Sequence, residues 1–300
     1  MISLQKSIII AKPDSFIAKI YDYGLLIKFK LLLFVVFSAA FAYLLGSTGT
    51  IDWGKFILLS LGGVMVTGAA NGLNEIFEKD FDKLMSRTMN RPLPDNRMGV
   101  NEAMIVSILL GVGGIFILST YINVLCGILG MAALFLYAFA YTPMKRISPF
   151  SVFVGAIPGA MPPLIGWVAA TGNLSMEAIV LFVLQFFWQF PHFWAIAWKL
   201  DDDYKKAGFY LLPSKGGKDK SSAFQIVVYS LSLIPVGLLP YLFHISGGTS
   251  AVIVSLAGII FTLYAIRLYK TCSDKAALKV MFVSIIYLPV VMAVLVLDKI

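Results

Sequence analysis

Charge is scarce in this chain: Asp, Glu, Lys and Arg together make up 13% of its 300 residues, about half of what a soluble domain carries. The shortage excludes water as the main solvent of the fold. What replaces charge is apolar, at 59% of residues and a mean hydropathy of +0.86. Cysteine is almost absent. Cys126 and Cys272 are widely separated and form no metal-ligand pattern, so both read as small apolar fillers.

A spanning helix needs roughly 20 mostly apolar residues, because a rise of about 1.5 Å per residue has to cross about 30 Å of hydrocarbon. Nine segments qualify, near 31–47, 54–76, 103–121, 124–142, 151–171, 177–198, 223–243, 249–268 and 278–297. The expected fold is therefore all-α, a polytopic membrane protein forming a single domain over 1–300. Residues 1–30 read as an amphipathic cytoplasmic lead-in, with Lys12, Lys19, Lys28 and Lys30 at the membrane surface. The run Ile8-Ile9-Ile10 is too short for the core of a signal peptide.

Placing the N-terminus in the cytoplasm puts every Lys and Arg except Lys55 and Lys299 on that side or at its helix ends, out of 24 in all. The positive-inside rule then predicts N-terminus in and C-terminus out, in a cytoplasmic membrane. The net charge of +8 faces anionic lipid, and no nucleic acid is needed to explain it.

Two connections stand out, 77–102 and 199–222, because they are long and hold most of the acids. In the first, Asn71, Asn74, Glu75, Glu78 and Asp82 fall within about 100° of one helix face, with Asp80 opposite. In the second, His192, Lys199 and Asp203 share a face. Asp82 and Asp203 are 121 residues apart, four spans per interval, which points to a duplicated four-helix unit whose acidic ends meet on one side. Such acids could simply solvate a loop. Their i, i+4 repetition on the extension of a spanning helix favours chemistry instead, since burial there needs a compensating partner. Facing carboxylates suit a diphosphate only with Mg²⁺ between them, and neighbouring Lys and Arg can neutralise the remaining phosphate charge.

The pattern Asn74-x-x-x-Glu78-x-x-x-Asp82, followed by Met85-x-Arg87-Thr88-x-Asn90-Arg91-Pro92-Leu93, resembles the first aspartate-rich motif of the UbiA-type intramembrane prenyltransferases, and more narrowly of their heme-modifying branch. Tyr141-Thr142-Pro143-Met144-Lys145-Arg146, the stretch from Gly155 to Trp167, and Pro191-His192-Phe193 leading to Asp203-Tyr204 agree with it. Two positions depart from the wider pattern. Glu78 stands where aspartate is usual, and Lys199 stands where the second motif usually begins with aspartate, as in the heme branch.

The resemblance implies a barrel-like bundle of nine spans around a cavity open to the cytoplasmic face and laterally to lipid. It also implies a reaction: farnesyl diphosphate loses its diphosphate with Mg²⁺, a vinyl group of heme B captures the allylic cation, and water completes the product, heme O. Asn74, Glu78, Asp82 and Asp203 are then the metal and diphosphate candidates. Arg87, Arg91, Lys145, Arg146 and Lys199 are candidate partners of diphosphate or heme propionates, with Tyr141 and Tyr204 as hydrogen-bond donors. His192 lies 11 residues before Asp203, about 16 Å deeper on an unbroken helix, where an imidazole could meet heme iron. A downstream heme-modifying enzyme would be the natural partner. The alternatives are a prenyltransferase acting on a quinone precursor and, from another class, an ion-coupled transporter, which would place its acids nearer the midplane.

Overall fold

The computed structural model describes residues 15–300; Ile8–Ile10 and Lys12 lie outside the described residues. Among the described residues a short helix α1 (Phe16–Leu26) precedes nine helices long and apolar enough to cross a membrane: α2 (Phe29–Gly46), α3 (Trp53–Asp82), α4 (Val100–Ile122), α5 (Val124–Met144), α6 (Ser151–Thr171), α7 (Met176–Lys206), α8 (Lys220–Leu242), α9 (Gly248–Thr271) and α10 (Asp274–Leu297). All nine expected spans are present. Polar side chains stop the backbone fraying where helices start: Asp52, Asn123, Asp219 and Ser273 accept from the first-turn amides of α3, α5, α8 and α10.

Consecutive helices pack side by side, and α10 returns to α2, closing a ring; α2 also lies along α6, and α10 along α7. The outer faces carry exposed apolar residues at helical spacing, such as Ile105, Leu109, Val112 and Phe116 on α4 and Leu256, Ile260 and Leu263 on α9, as a lipid-facing surface requires. Small residues let backbones approach: at Gly166 of α6 a Cβ would collide with the Ala39 backbone of α2. At Gly159 of α6 a Cβ would collide with the Gln189 side chain of α7, and Gln185 of α7 donates to the Gly159 carbonyl at 2.8 Å. That carbonyl lacks its own i+4 partner because Pro163 has no N–H.

The expected spans end short at two places. Helices α3 and α7 are 30 and 31 residues long, about 45 Å each, which exceeds the hydrocarbon thickness by some 15 Å. The segments read from sequence as acidic loops therefore begin as helix, up to Asp82 and Lys206, and the true loops are 83–99 and 207–219. These two overhanging ends, one per four-helix unit, carry the acids.

Candidate active site at the overhanging helix ends

On α3 the face expected from the 100° periodicity is buried along its whole length: Asn71, Asn74, Glu75, Glu78 and Asp82 are each 5% exposed or less. Three cations from three different segments converge on it. Arg91, from the loop after α3, lies 2.7 Å from Asp82 Oδ2 and 3.4 Å from Glu75 Oε1. Lys145, just beyond α5, lies 2.8 Å from Glu78 Oε1 and 4.6 Å from the centre of the Tyr141 ring. Lys28, between α1 and α2, donates to Asn74 Oδ1 at 2.5 Å, while Asn74 Nδ2 donates to Thr142 at 3.2 Å. Three carboxylates are thus balanced by three cations.

Lys28 corrects an expectation. The sequence pattern places it at the membrane surface, yet its backbone turns through the left-handed region (φ 53°), which breaks α1 from α2 and turns the ammonium inward. Burial first, and the charge of Arg91 second, push its pKa well below the usual lysine range. Helix α1 is clasped in place by Asp22 with Arg97 at 2.5 Å and by Lys19 and Tyr23 with Glu102 at 2.8 and 2.7 Å.

Below this polar crown runs an apolar cavity enclosed by α2 to α6. It extends along α3 from Asn71 to Leu59, about 18 Å at helical rise, with Asn71 and Tyr137 as polar groups at its upper end. The π-helical turn Leu136–Tyr141 brings Tyr137 to the cavity and carries Thr142 on to Asn74; such turns favour functional sites. Gly155 of α6 makes room for this turn, since a Cβ there would sit 2.6 Å from the Tyr141 ring.

A buried crown of carboxylates and cations lies above a long apolar pocket, between helices in a closed ring. Residues 35–286 fit the UbiA prenyltransferase family. The chain belongs to that family. Among its relatives, the protoheme IX farnesyltransferase of Cytophaga hutchinsonii is 50% identical over 278 residues, covering 93% of this chain and 97% of the relative. The enzyme of the same name from Flavobacterium psychrophilum is 46% identical, covering 93% and 94%. The fold agrees with a solved digeranylgeranylglyceryl phosphate synthase (TM-score 0.78, 23% identity, covering 94% of this chain and 98% of that one). It also agrees with a UbiA homologue from Archaeoglobus fulgidus bound to GPP and Mg²⁺ (TM-score 0.65, 15% identity, covering 91% and 99%).

Within this UbiA-type site the structure gathers Asn74, Glu78, Asp82, Arg91, Lys145 and Tyr141, and adds Lys28, Glu75 and Thr142. Glu75 belongs to the acidic face that the helical periodicity predicts, beyond the four metal candidates Asn74, Glu78, Asp82 and Asp203. The remaining candidates lie around the rim. Arg87 stands over the Tyr204 ring at 6.0 Å and Arg146 over Phe81 at 4.1 Å. Lys199 is exposed and joins no ion pair among the described residues. Asp203 accepts from Ser86 and Arg87 of the first loop, so the two acidic ends do meet.

His192 Nδ1 lies 2.7 Å from Ser284 Oγ of α10. That hydroxyl donates to the Met281 carbonyl at 2.6 Å, so Nδ1 carries the hydrogen and donates to Ser284, leaving a lone pair on Nε2. The ring is held by stacking on Trp188 at 4.7 Å.

The donor chemistry fits Mg²⁺. Glu75 Oε2 and Asp82 Oδ1 are buried without a hydrogen-bond partner among the described residues, an arrangement that normally calls for one. Among the described residues no three acids or histidines converge closely enough to hold a metal by themselves. Mg²⁺ bound through one or two carboxylates together with phosphate oxygens needs no such cluster.

Proposed function

We propose that this protein transfers the farnesyl group of farnesyl diphosphate to a vinyl group of heme B, with addition of water, giving heme O. It would do so in the cytoplasmic membrane with its N-terminus on the cytoplasmic side. The observation that carries this reading is the charge-balanced crown of Glu75, Glu78 and Asp82 with Lys28, Arg91 and Lys145, directly above an apolar cavity. The naming of its relatives at 46–50% identity supports the choice of heme as acceptor.

The crown supplies what departure of a diphosphate needs. Arg91 and Lys145, with Lys28 when it is protonated, are cations gathered at the crown, where they can turn to the negative charge that grows on the leaving oxygen. Asn74, Glu78 and Asp82, with Glu75 beside them, would hold Mg²⁺, which when bound neutralises the diphosphate and assists its departure. The cavity of α2 to α6 takes the isoprenoid chain and keeps water from its reactive end, where the Tyr137 and Tyr141 rings flank the crown and offer π faces to a cation. The C1–oxygen bond breaks with its electron pair leaving on diphosphate. The terminal vinyl carbon then bonds to C1, and water adds to the carbon beside the porphyrin ring and releases a proton. Arg87 and Arg146 at the rim are the propionate partners in this arrangement, and His192 offers Nε2 to the acceptor.

The test is mass spectrometry of heme extracted from cells with and without this protein. Farnesylated heme appearing only with the protein supports the reading. Prenylation of an aromatic acid with heme untouched would replace heme as the acceptor.

A further inference from the structure

We infer that Asp203, the acid of the second motif, is a positioning residue that holds the first motif's loop. The inference rests on the prenyl-transfer reading above. A carboxylate has about four lone-pair sites, and four donors converge on Asp203, three on Oδ1 and one on Oδ2. Oδ1 accepts from the Ser86 amide at 3.0 Å, the Ser86 hydroxyl at 2.9 Å and Lys206 Nζ at 3.1 Å. Oδ2 accepts from the Arg87 amide at 3.2 Å. Two consecutive backbone amides pointing at one carboxylate make an anion nest, and Asp203 is its occupant. The corresponding acid of the first unit is arranged differently: Asp82 uses Oδ2 for Arg91 and leaves Oδ1 buried and unpartnered. The duplicated acids have therefore divided their work.

The turn that Asp203 holds leads directly into the crown. Thr88 Oγ1 donates to the Asp82 carbonyl at 2.9 Å, the Arg91 amide donates to the Thr88 carbonyl at 2.9 Å, and Arg91 then reaches back to Asp82 and Glu75. Ser86 and Arg87 are the first residues of this path, and Met85 beside them is buried. Releasing them loosens the aim of Arg91, which sets the diphosphate cradle, and also frees Arg87 from its place over Tyr204. The cross-link ties the end of α7 to the end of α3, so the two halves of the ring share one rim.

The experiment compares Asp203→Asn and Ser86→Ala with the parent protein in lipid nanodiscs, measuring hydrogen exchange of segment 84–91, the Mg²⁺ concentration for half-maximal activity, and kcat and KM for farnesyl diphosphate. In Asp203→Asn one amide group replaces an acceptor opposite the Arg87 N–H, so exchange in 84–91 should quicken about tenfold, the equivalent of one charge-assisted bond. KM should rise about as much, while the Mg²⁺ requirement stays within about twofold. Ser86→Ala loses one of the four bonds and should show the same pattern at about threefold. A Mg²⁺ requirement raised tenfold or more in Asp203→Asn, with exchange in 84–91 unchanged, would make Asp203 a metal ligand and overturn the inference. Ser86→Ala decides the matter if Asp203→Asn does not fold. Exchange reads the clasp without any turnover, so a chain that transferred no farnesyl group would still report on it.

Discussion

Replacing Arg91 by alanine leaves Asp82 and Glu75 buried without an ion-pair partner among the described residues, with Lys28 the cation that remains near Glu75. Both carboxylates are 1% exposed or less, and the guanidinium reaches one at 2.7 Å and the other at 3.4 Å. Removing one partner of a buried pair costs roughly 3–5 kcal/mol, because the other charge stays behind. Arg91→Ala should therefore lower stability by about that amount. Arg91→Lys keeps the charge but cannot fork between two carboxylates, so it should lose about 1–2 kcal/mol. For activity, kcat/KM for farnesyl diphosphate should fall by roughly a hundredfold in the alanine variant, since a preorganised cation is lost where charge develops. The informative comparison is the double variant Arg91→Ala with Asp82→Asn. Neutralising one orphaned carboxylate should return at least about 1 kcal/mol of stability relative to Arg91→Ala alone, with no return of activity. Chemical denaturation in detergent and steady-state kinetics read the two effects separately. Stability of Arg91→Ala within about 0.5 kcal/mol of the parent would refute the assignment of Arg91 as the counter-charge of this face.

Asp82→Asn should abolish heme O formation per amount of folded protein, measured by mass spectrometry, because its change removes a metal oxygen, and it should also lower stability by loss of the Arg91 ion pair at 2.7 Å. Gly159→Ala should destabilise the α6–α7 contact by about 1–3 kcal/mol, seen as a lower denaturation midpoint, because a Cβ there has no room beside Gln189. His192→Ala should shift the Soret band of heme bound to the purified protein, and Ser284→Ala should weaken heme binding while leaving the His192 ring present; spectral titration with heme measures both, and an unchanged spectrum in His192→Ala would remove it from the acceptor site.

The nine spans and the acidic face of α3 were legible because both are periodic: a 20-residue apolar run and a 100° step per residue need no knowledge of neighbours. Glu75 was legible for the same reason. Lys28 was not, since its inward direction depends on one left-handed backbone position and on Asn74, which lies 46 residues away. The rim positions of Arg146 and Lys199 depend likewise on where α5 and α7 end, and helix ends are the least legible feature of a hydropathy pattern when polar residues continue the helix beyond the membrane. The duplication correctly brought the two acidic ends to one side. It did not reveal that Asp82 keeps an open oxygen and Asp203 does not, because that difference arises in the Ser86–Arg87 turn, which has no acid-rich signature of its own.

The crown as it stands has three carboxylates and three cations, so it has no net charge with which to attract a diphosphate. An arriving diphosphate brings several negative charges into a site walled from water, where electrostatic terms are large. It can be held only if the cations turn toward it and added positive charge takes over the carboxylates they leave, which ties substrate binding to Mg²⁺. Glu78 is the place to separate these two requirements, because its partner Lys145 pairs with no other carboxylate among the described residues and lies 2.8 Å from Glu78. Glu78→Gln removes that claim on Lys145 and gives the crown a net charge of +1. Without Mg²⁺, inorganic diphosphate should then bind more tightly than to the parent, by roughly fivefold to tenfold for one partly buried ion pair released. Turnover with Mg²⁺ should fall sharply in the same variant, since a metal oxygen has been replaced by an amide. Glu78→Asp, which retains the charge, should keep the weak metal-free binding of the parent and recover part of the turnover. Calorimetric titration with and without Mg²⁺ separates the two effects, and equal or weaker metal-free binding in Glu78→Gln would show that Lys145 is not a diphosphate partner held in reserve by Glu78.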